Sequence, residues 1–467
     1  MHIRKIPWLE PYEAAARLRS LSGLSFLDSA MRHPELGRYS YVAAEPFGTF
    51  VIRNREAAWN GGVIDAPPVE ALRQIMALYP AATIPGLPPF QGGAIGFFSY
   101  EFGRLFENLP QASTPPHGEI PQASLNFYDA VLAFDHQQHK AWLISSGFPE
   151  TGPAKRKARA EHRGMQVLEQ LAQANNEPTA TATIARSDWR SNFSRESYAA
   201  AVRTVIERIL EGDIFQVNIA QRFVAKLPTG FDAWGFYGGL RRQNPATFAA
   251  YLEHDALVVA SSSPERFLRT DGVAVETRPI KGTIVRARDP KEDAVRAKIL
   301  SNSEKDRAEN VMIVDLMRND LSRVCKPFSV NVSVLCGVES YANVHHLVSV
   351  VHGVLSESKT ALDLLQAAFP GGSITGAPKV RAMEIITEIE REARGVYCGS
   401  IGFLGFDGAF DGNIAIRTVQ FQNGTAVLHA GGGITVLSDP YAEYEETLDK
   451  ADRIFSAFQA RSDAVTA

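Results

Sequence analysis

Between Ser194 and Glu211, apolar residues recur at helical spacing (Tyr198, Val202, Val205, Ile206, Ile209, Leu210), which predicts an amphipathic helix capped by Ser194 and ended by Gly212. The period then changes to two. In Phe215-Gln-Val-Asn-Ile-Ala-Gln, Phe215, Val217 and Ile219 face one way and Gln216, Asn218 and Ala220 the other, so the strand offers carboxamides either to a ligand or to solvent. Further on, Asp271-Gly272 between Phe267-Leu268 and Val273 to Val275 predicts a hairpin. A register centred on that turn sets Glu265 beside Arg278 and Lys281 opposite Ser262, bringing an acid and an amine to one open end. Pro279-Ile280 and Gly282 make the backbone around Lys281 irregular, so alternation does not say whether Lys281 and Glu265 share a face. Asp289-Pro290, and Ser303 with Asp306 three residues on, predict two consecutive helices. In the second, Glu309 shares the stripe of Ile313 and Leu316, placing its carboxylate at the stripe's edge or burying it with a partner.

Residues 1–150 read as short strands and turns with one early helix from Pro11 to Leu21, a sheet-rich region. Residues 151–185 hold a charged helix to Ala174 and a linker from Asn175 to Thr183 that carries almost no apolar bulk. The remaining motifs fall within 186–460. Pro370-Gly-Gly-Ser-Ile-Thr-Gly-Ala-Pro-Lys379 runs into a helix with Val380, Met383, Ile386 and Ile389 on its apolar positions, and such an N-terminus suits an anion. Its glycines open like a P-loop, but Ala377 stands where the phosphate-reading lysine belongs, which excludes a nucleoside triphosphate site. Gly431, Gly432 and Gly433 interrupt a strand pattern, as backbone that must approach a ligand would. Just before them, Ile414-Ala-Ile-Arg417-Thr-Val alternates with Arg417 opposite the apolar face, a side chain suited to bidentate carboxylate contact. The last helix opens at Asp439-Pro440 and sets Glu443, Glu446 and Lys450 on one face, where Glu446 and Lys450 also have the spacing of a surface ion pair.

Composition narrows the class. The 467 residues are 45% hydrophobic and 21% charged, an ordinary globular balance. A net charge of −4 supplies no basic field for nucleic acid, and no run is long enough to span a membrane. Cys325, Cys336 and Cys398 form no CxxC pair, consistent with free thiols and a cytoplasmic protein.

The order of these motifs carries more than any one of them. Gln216-Val-Asn, Ser263-Pro-Glu-Arg-Phe, Pro279-Ile-Lys-Gly-Thr, Asp306-Arg-Ala-Glu-Asn, Val314-Asp-Leu-Met-Arg-Asn-Asp, His345-His-Leu-Val-Ser, Gly372-Ser-Ile-Thr-Gly-Ala-Pro-Lys, Ile416-Arg-Thr, Gly431-Gly-Gly and Glu443-Tyr-Glu-Glu-Thr together resemble the chorismate-utilising enzymes, densely from Ser187 to Phe455. The resemblance implies an α+β fold, two large antiparallel β-sheets packed as a sandwich with helices outside, formed as one intertwined unit whose first 150 residues are anthranilate-synthase-like. Gln216 stands where water-using members carry a lysine, and Lys281 where anthranilate synthases read alanine. Both point to the branch that converts chorismate and ammonia to 4-amino-4-deoxychorismate for 4-aminobenzoate and folate synthesis. The same-fold alternative is anthranilate formation. A catalytically silent amino-acid-binding regulator is the other, and it would have lost some of Glu265, Lys281, Glu309 and Glu446.

The resemblance also implies roles. Lys281 attacks ring carbon 2 and Glu265 protonates the departing hydroxyl. The amine must therefore titrate below its ordinary value of about 10.4, with Arg278 a candidate cation, and the acid above its own. Mg²⁺ on the ring carboxylate is held by Glu309 and Glu446, with Glu443 directly or through water, and Lys450 meets the same carboxylate. Arg417, the amides of Gly431, Gly432 and Gly433, and Tyr397 hold the enolpyruvyl carboxylate, with Ser373 near the metal-bound end. No Gly-x-Cys-x-Gly elbow is present, so ammonia is expected from a glutamine amidotransferase subunit in a heterodimer. Ser29, Arg38, Tyr39, Ser40 and Phe248 match a tryptophan-like effector pocket in part, Phe26-Leu-Asp-Ser standing where feedback-inhibited relatives read Leu-Leu-Glu-Ser.

Overall fold

Strands Gly93–Phe98, Ala123–Tyr128 and Ala130–Asp135 are buried at every position, because each lies in a sheet covered on both faces and has no solvent side to fill with polar residues. They belong to a computed structural model described for residues 1–459 apart from 34, 116, 174–181 and 342–343. Most of the expected linker lies outside the described residues.

Among the described residues, two antiparallel sheets of twelve strands each form the centre of this α+β chain. The first runs in the order His2–Ile6, Lys140–Ser145, Ala130–Asp135, Tyr39–Ala43, Ser25–Asp28, Phe248–His254, Leu257–Ser263, Thr418–Gln422, Thr425–Ile434, Gln216–Lys226 and Arg190–Ser191, with Gly376–Ala377 also paired to Gln216–Lys226. The second runs from Ile280–Val285 through Val344–Val354, Ala274–Thr277, Arg266–Thr270, Phe410–Asn413 and Ser400–Gly405 to Gly93–Phe98, Ala123–Tyr128 and the Gly48 to Ile64 meander, with Asn331–Ser340 paired to Val344–Val354. Each sheet thus joins a block of N-terminal strands to a block of C-terminal ones, at Ser25–Asp28 beside Phe248–His254 in the first and at Gly93–Phe98 beside Ser400–Gly405 in the second.

Tyr41, Val131, Ala250 and Val259 of the first sheet meet Ile95, Phe97, Ile401 and Phe403 of the second in one shared core. Helices Pro11–Leu18, Ala233–Gln243 and Pro440–Gln459 cover the outer face of the first sheet, giving Leu18, Leu240 and Phe455 to its core. Helices Glu304–Ser322, Ala361–Ala368 and Lys379–Glu390 contribute Ile313, Leu364 and Met383 to the core beside the second. Burying each such Leu, Ile or Phe side chain stabilises by about 1.5–3 kcal/mol.

The expected helix starts are present. Ser194, Asp289 and Ser303 accept backbone N–H groups at the heads of Arg195–Leu210, Pro290–Ser301 and Glu304–Ser322. The hairpin forms, but in a different register. Asp271 Oδ1 accepts the N–H groups of Val273 and Ala274, which lengthens the turn, so Thr270 faces Val275 and Arg269 faces Glu276. Ser262 does not oppose Lys281: it pairs with Ala249 in the first sheet, whereas Lys281 pairs with Leu347 in the second. The strand expected across Ile414 to Val419 is also interrupted, beginning only at Thr418 with Ile414 to Arg417 outside any strand. Phe410–Asn413 lies in the second sheet and Thr418–Gln422 in the first.

Candidate active site

Both divisions occur where the chain passes between sheets, and the two crossings are tied together. Ser262 N–H donates to the Arg417 carbonyl (3.1 Å), Ile414 N–H to the Glu265 carbonyl (3.0 Å), and Ser263 Oγ to the Ile414 carbonyl (2.6 Å). Glu265 sits on the first crossing, with Ile280 N–H donating to its Oε1 at 3.4 Å. Burial pushes its carboxyl up to about 7, against the Ser373 hydroxyl, the Lys281 ammonium and the Ile280 amide. Arg417 occupies the second crossing in the left-handed region, at φ 52°. Its guanidinium has no ion-pair or hydrogen-bond partner among the described residues, and burial together with repulsion from Arg453 lowers it to about 10. A half-buried arginine without a partner is a receptor for an anion.

Lys281 is aimed by a bulge. Lys281 faces Leu347 and Thr283 faces His346, leaving Gly282 as the extra residue at φ 78°. A Cβ there would stand 2.8 Å from the Asp306 carboxyl carbon, so glycine serves both the turn and the close helix. The Lys281 side chain is 10% exposed, and its Nζ lies 3.7 Å from Glu309 Oε2. Burial lowers its affinity for a proton; Glu309 and Glu265 oppose that shift, and Lys450 adds to it. Arg278 plays no such part. It pairs with Glu35 (3.0 Å) and Glu339 (2.6 Å), and the neighbouring cation is Lys450.

The glycines lie on Thr425–Ile434, where Gly433, Gly432 and Gly431 face Asn218, Ile219 and Ala220. Asn218 N–H donates instead to the Thr375 carbonyl (2.7 Å) and Ala220 N–H to Glu390 Oε1 (2.8 Å). The amides of Gly433 and Gly431 therefore point away from Gln216–Lys226. On that side the neighbouring strand pairs only as far as Leu428, which leaves both amides open to a carboxylate. A Cβ on Gly433 would stand 3.4 Å from Lys281 Nζ and overlap the Gln216 carboxamide. Tyr397 is buried, its ring stacked on His429 of the glycine strand at 5.1 Å. Ser373 lies in the turn Gly372–Ile374, against Glu265.

Glu443 and Glu446 approach Gly432 from the C-terminal helix, where a Cβ would stand 2.9 Å from Glu443 Oε2 and 3.5 Å from Glu446 Oε1. Lys450 Nζ contacts Glu446 (2.6 Å) and donates to the Gly431 carbonyl (2.8 Å), Lys305 lies 3.8 Å from Glu443, and Lys281 faces Glu309. Each carboxylate thus has a lysine beside it. Among the described residues, no three His, Cys, Asp or Glu side chains form a closed metal shell. Burial nonetheless raises the carboxyls of Glu309 and Glu443, and carboxylate oxygens, two of them at the Gly432 cradle, are the donors a hard cation such as Mg²⁺ takes.

Arg394 and Glu390 escaped sequence reasoning. Arg394 is 1% exposed and donates to Glu390 (2.6 and 2.8 Å), the Asn218 carbonyl (2.7 Å) and the Ile374 carbonyl (3.2 Å), fixing the carboxamide strand against the Ser373 turn. Their signal was an i, i+4 charge pair continuing the apolar stripe of Ile386 and Ile389.

Of the five residues of the effector match, Ser29, Tyr39 and Phe248 line a cavity between the sheets with Arg266, Phe403 and Asp411. The other two turn elsewhere: Arg38 pairs with Asp135 at 2.7 Å, and Ser40 Oγ accepts the Ser29 amide and bonds His136.

The sheets, the acid at one crossing, the amine on its bulge and the open glycine amides fit one class. The profile of the chorismate binding enzymes matches residues 29–456, and the chain belongs to that family. It is 42% identical over 430 residues to aminodeoxychorismate synthase component 1 of Klebsiella aerogenes, covering 91% of both chains. Anthranilate synthase component 1 of Streptomyces coelicolor is 38% identical over 460 residues, 96% of this chain and 86% of that one. Among solved structures, anthranilate synthase component I from Streptococcus pneumoniae superposes with a TM-score of 0.81 at 33% identity, covering 91% of this chain and 93% of the other. No helix among the described residues is long and apolar enough to cross a membrane.

Proposed function

We propose that this chain acts as an aminodeoxychorismate synthase component 1, replacing the carbon-4 hydroxyl of chorismate by an amino group. The observation that carries this reading is Lys281, a buried amine aimed by its bulge toward Glu309, in a site that also holds Glu265. Residues 186–460 supply all the reacting groups, and residues 1–150 supply strands to both sheets.

In the proposed sequence the neutral Lys281 amine forms a bond to ring carbon 2, the two ring double bonds shift, and the bond from carbon 4 to oxygen breaks. The proton held by Glu265 leaves with that oxygen as water, and the proton shed by the Lys281 nitrogen passes to solvent. Ammonia then bonds to carbon 4, the double bonds return, and the electron pair of the carbon–lysine bond goes back to the Lys281 nitrogen, which regains from solvent the proton it had shed. The proton released by ammonia restores Glu265. Burial serves both ends of this exchange, keeping the acid protonated near neutral pH and favouring the uncharged amine.

Arg417 and the Gly431 and Gly433 amides are assigned to the enolpyruvyl carboxylate, with Tyr397 behind them. Glu309, Glu446 and Glu443 would hold Mg²⁺, which when bound neutralises the ring carboxylate. Lys450 lies at the same end. Ammonia is assigned to a glutamine amidotransferase partner, because the three cysteines are buried and none can serve as an exposed amidase nucleophile. Free thiols of this kind also suit a cytoplasmic setting.

Incubating the purified chain with chorismate, Mg²⁺ and ammonium and analysing products by mass tests the reading. An amino compound that retains the enolpyruvyl group is expected. Anthranilate, which has lost it, would assign the chain to the other branch.

A further inference from the structure

The strand Gln216–Lys226 has a gap along one edge. Thr425–Ile434 borders it on one side from Val217 to Lys226, whereas on the other, among the described residues, Gly376–Ala377 meets only Gln216 and Val217 and Arg190–Ser191 only Phe223 and Val224. Asn218 to Arg222 have no strand beside them there. An ion pair stands in the opening. Glu390 Oε1 accepts the Ala220 N–H at 2.8 Å, and Arg394 donates from Nη2 to the Asn218 carbonyl (2.7 Å) and from Nη1 to the Ile374 carbonyl (3.2 Å), bridging the strand and the turn that carries Ser373. Glu390 in turn takes Nε and Nη2 of Arg394 at 2.8 and 2.6 Å, which sets the plane of the guanidinium. The arginine is also anchored from the N-terminal half: Glu101 accepts the Arg394 and Gly395 amides (2.9 and 3.0 Å), and the Tyr100 ring lies 4.8 Å from the guanidinium.

The side chains of Arg394 and Glu390 are 1% and 6% exposed. Removing two charges from water offsets most of what their attraction gains, so a pair this deeply buried contributes placement more than stability. What it places is the active site. Asn218 faces Gly433, and Ile374 adjoins Ser373, whose hydroxyl lies against Glu265. Resting on the function proposed above, we propose that Arg394 and Glu390 are positioning residues for the reaction, a clamp that holds the Ser373 turn to the strand and thereby keeps the Ser373 hydroxyl on the Glu265 carboxyl. That hydroxyl stabilises the ionised acid, so loosening the turn leaves Glu265 protonated to a higher pH. Lys281, Arg417 and Cys398 also face Glu265, and among the described residues none of them hydrogen-bonds Arg394.

The pH dependence of kcat/KM for chorismate, at saturating ammonium, tests the clamp in the wild type, Arg394→Lys, Glu390→Gln and Ser373→Ala. The wild type must first make 4-amino-4-deoxychorismate; another product overturns the underlying function rather than the clamp alone. Arg394→Lys keeps the charge but lacks the fork that spans two carbonyls, and its alkaline limb is expected about one pH unit above that of the wild type, the loss of one hydrogen bond to a carboxylate. Ser373→Ala should show the same shift, and adding Arg394→Lys to it should move the limb no further. Glu390→Gln leaves an oxygen for Ala220 while loosening the guanidinium. Its limb should rise by a smaller amount, although the lost negative charge alone would move it down. The position of a limb does not depend on how much of the protein is folded, so a role in stability alone would lower the unfolding midpoint and leave the limb in place. A wild-type limb in folded Arg394→Lys or Glu390→Gln, or a further shift in the double variant, would overturn the proposal.

Discussion

Two places between the sheets each hold an arginine, buried at Arg266 and half-buried at Arg417, and treat it in opposite ways. In the cavity beside Phe248, the Arg266 guanidinium is matched by Asp411 (2.9 Å) and Glu276 (2.7 Å). At the crossing beside Glu265, Arg417 is matched by nothing among the described residues. Carboxamides repeat the contrast: Asn413 donates to the Phe248 carbonyl and accepts the Ile401 amide, whereas Gln216 and Asn218 have no partner. The cavity's polar groups are satisfied by the fold, Arg266 within its own sheet and Asn413 across to Phe248 of the other, whereas those at the crossing are kept unsatisfied for a charged substrate, with the rest of the fold compensating for the cost.

Substitutions at each place should break that contrast differently. The largest effect is expected from Lys281→Ala, which should abolish 4-amino-4-deoxychorismate formation or divert the enzyme to anthranilate, measured as product identity; an unchanged product and rate would remove Lys281 from the mechanism. Glu265→Gln should lower kcat by about 10²–10⁴-fold, the usual contribution of a general acid. The acid works protonated and titrates near 7, so the protonated fraction falls as pH rises through 7. Wild-type kcat/KM should therefore decline on the alkaline side of that value, and the Glu265→Gln profile should lack this limb. In the cavity, Arg266→Met should leave Asp411 without its cation and Glu276 with only Arg278 at 3.9 Å, and cost about 3–5 kcal/mol in denaturant unfolding, with kcat of the folded fraction unchanged. Arg417→Lys should do the reverse, raising KM for chorismate about tenfold through loss of the bidentate fork while unfolding shifts little. The smallest change belongs to Ser29→Ala at the cavity rim, about 1 kcal/mol for one hydrogen bond to the Tyr39 carbonyl.

What could be read in advance follows from the range of the signal. Caps at Ser194, Asp289 and Ser303 were legible because a cap is written within four residues. Fully buried strands such as Ala130–Asp135 were legible as apolar runs. The hairpin turn was legible but its register was not, because the Asp271 side chain reached two amides and displaced the pairing. Periodicity says which face a residue occupies and not which sheet, so nothing near Ser262 or Ile414 announced the crossings that place Glu265 and Arg417. The candidate residues emerged from the order of motifs along the chain. Of the partners of Arg394 only Glu390 shows in side-chain spacing, as an ordinary i, i+4 pair; the carbonyls of Asn218 and Ile374 are distant backbone groups that leave no trace there.

The most direct test of the central claim is intact-protein mass spectrometry of the chain mixed with chorismate and Mg²⁺ in the absence of ammonia, followed by peptide mapping. A nucleophilic Lys281 should gain the mass of chorismate less water on the peptide that contains it, and ammonium should discharge the adduct to product. An unmodified Lys281 peptide in a preparation that forms 4-amino-4-deoxychorismate once ammonium is added would contradict the account.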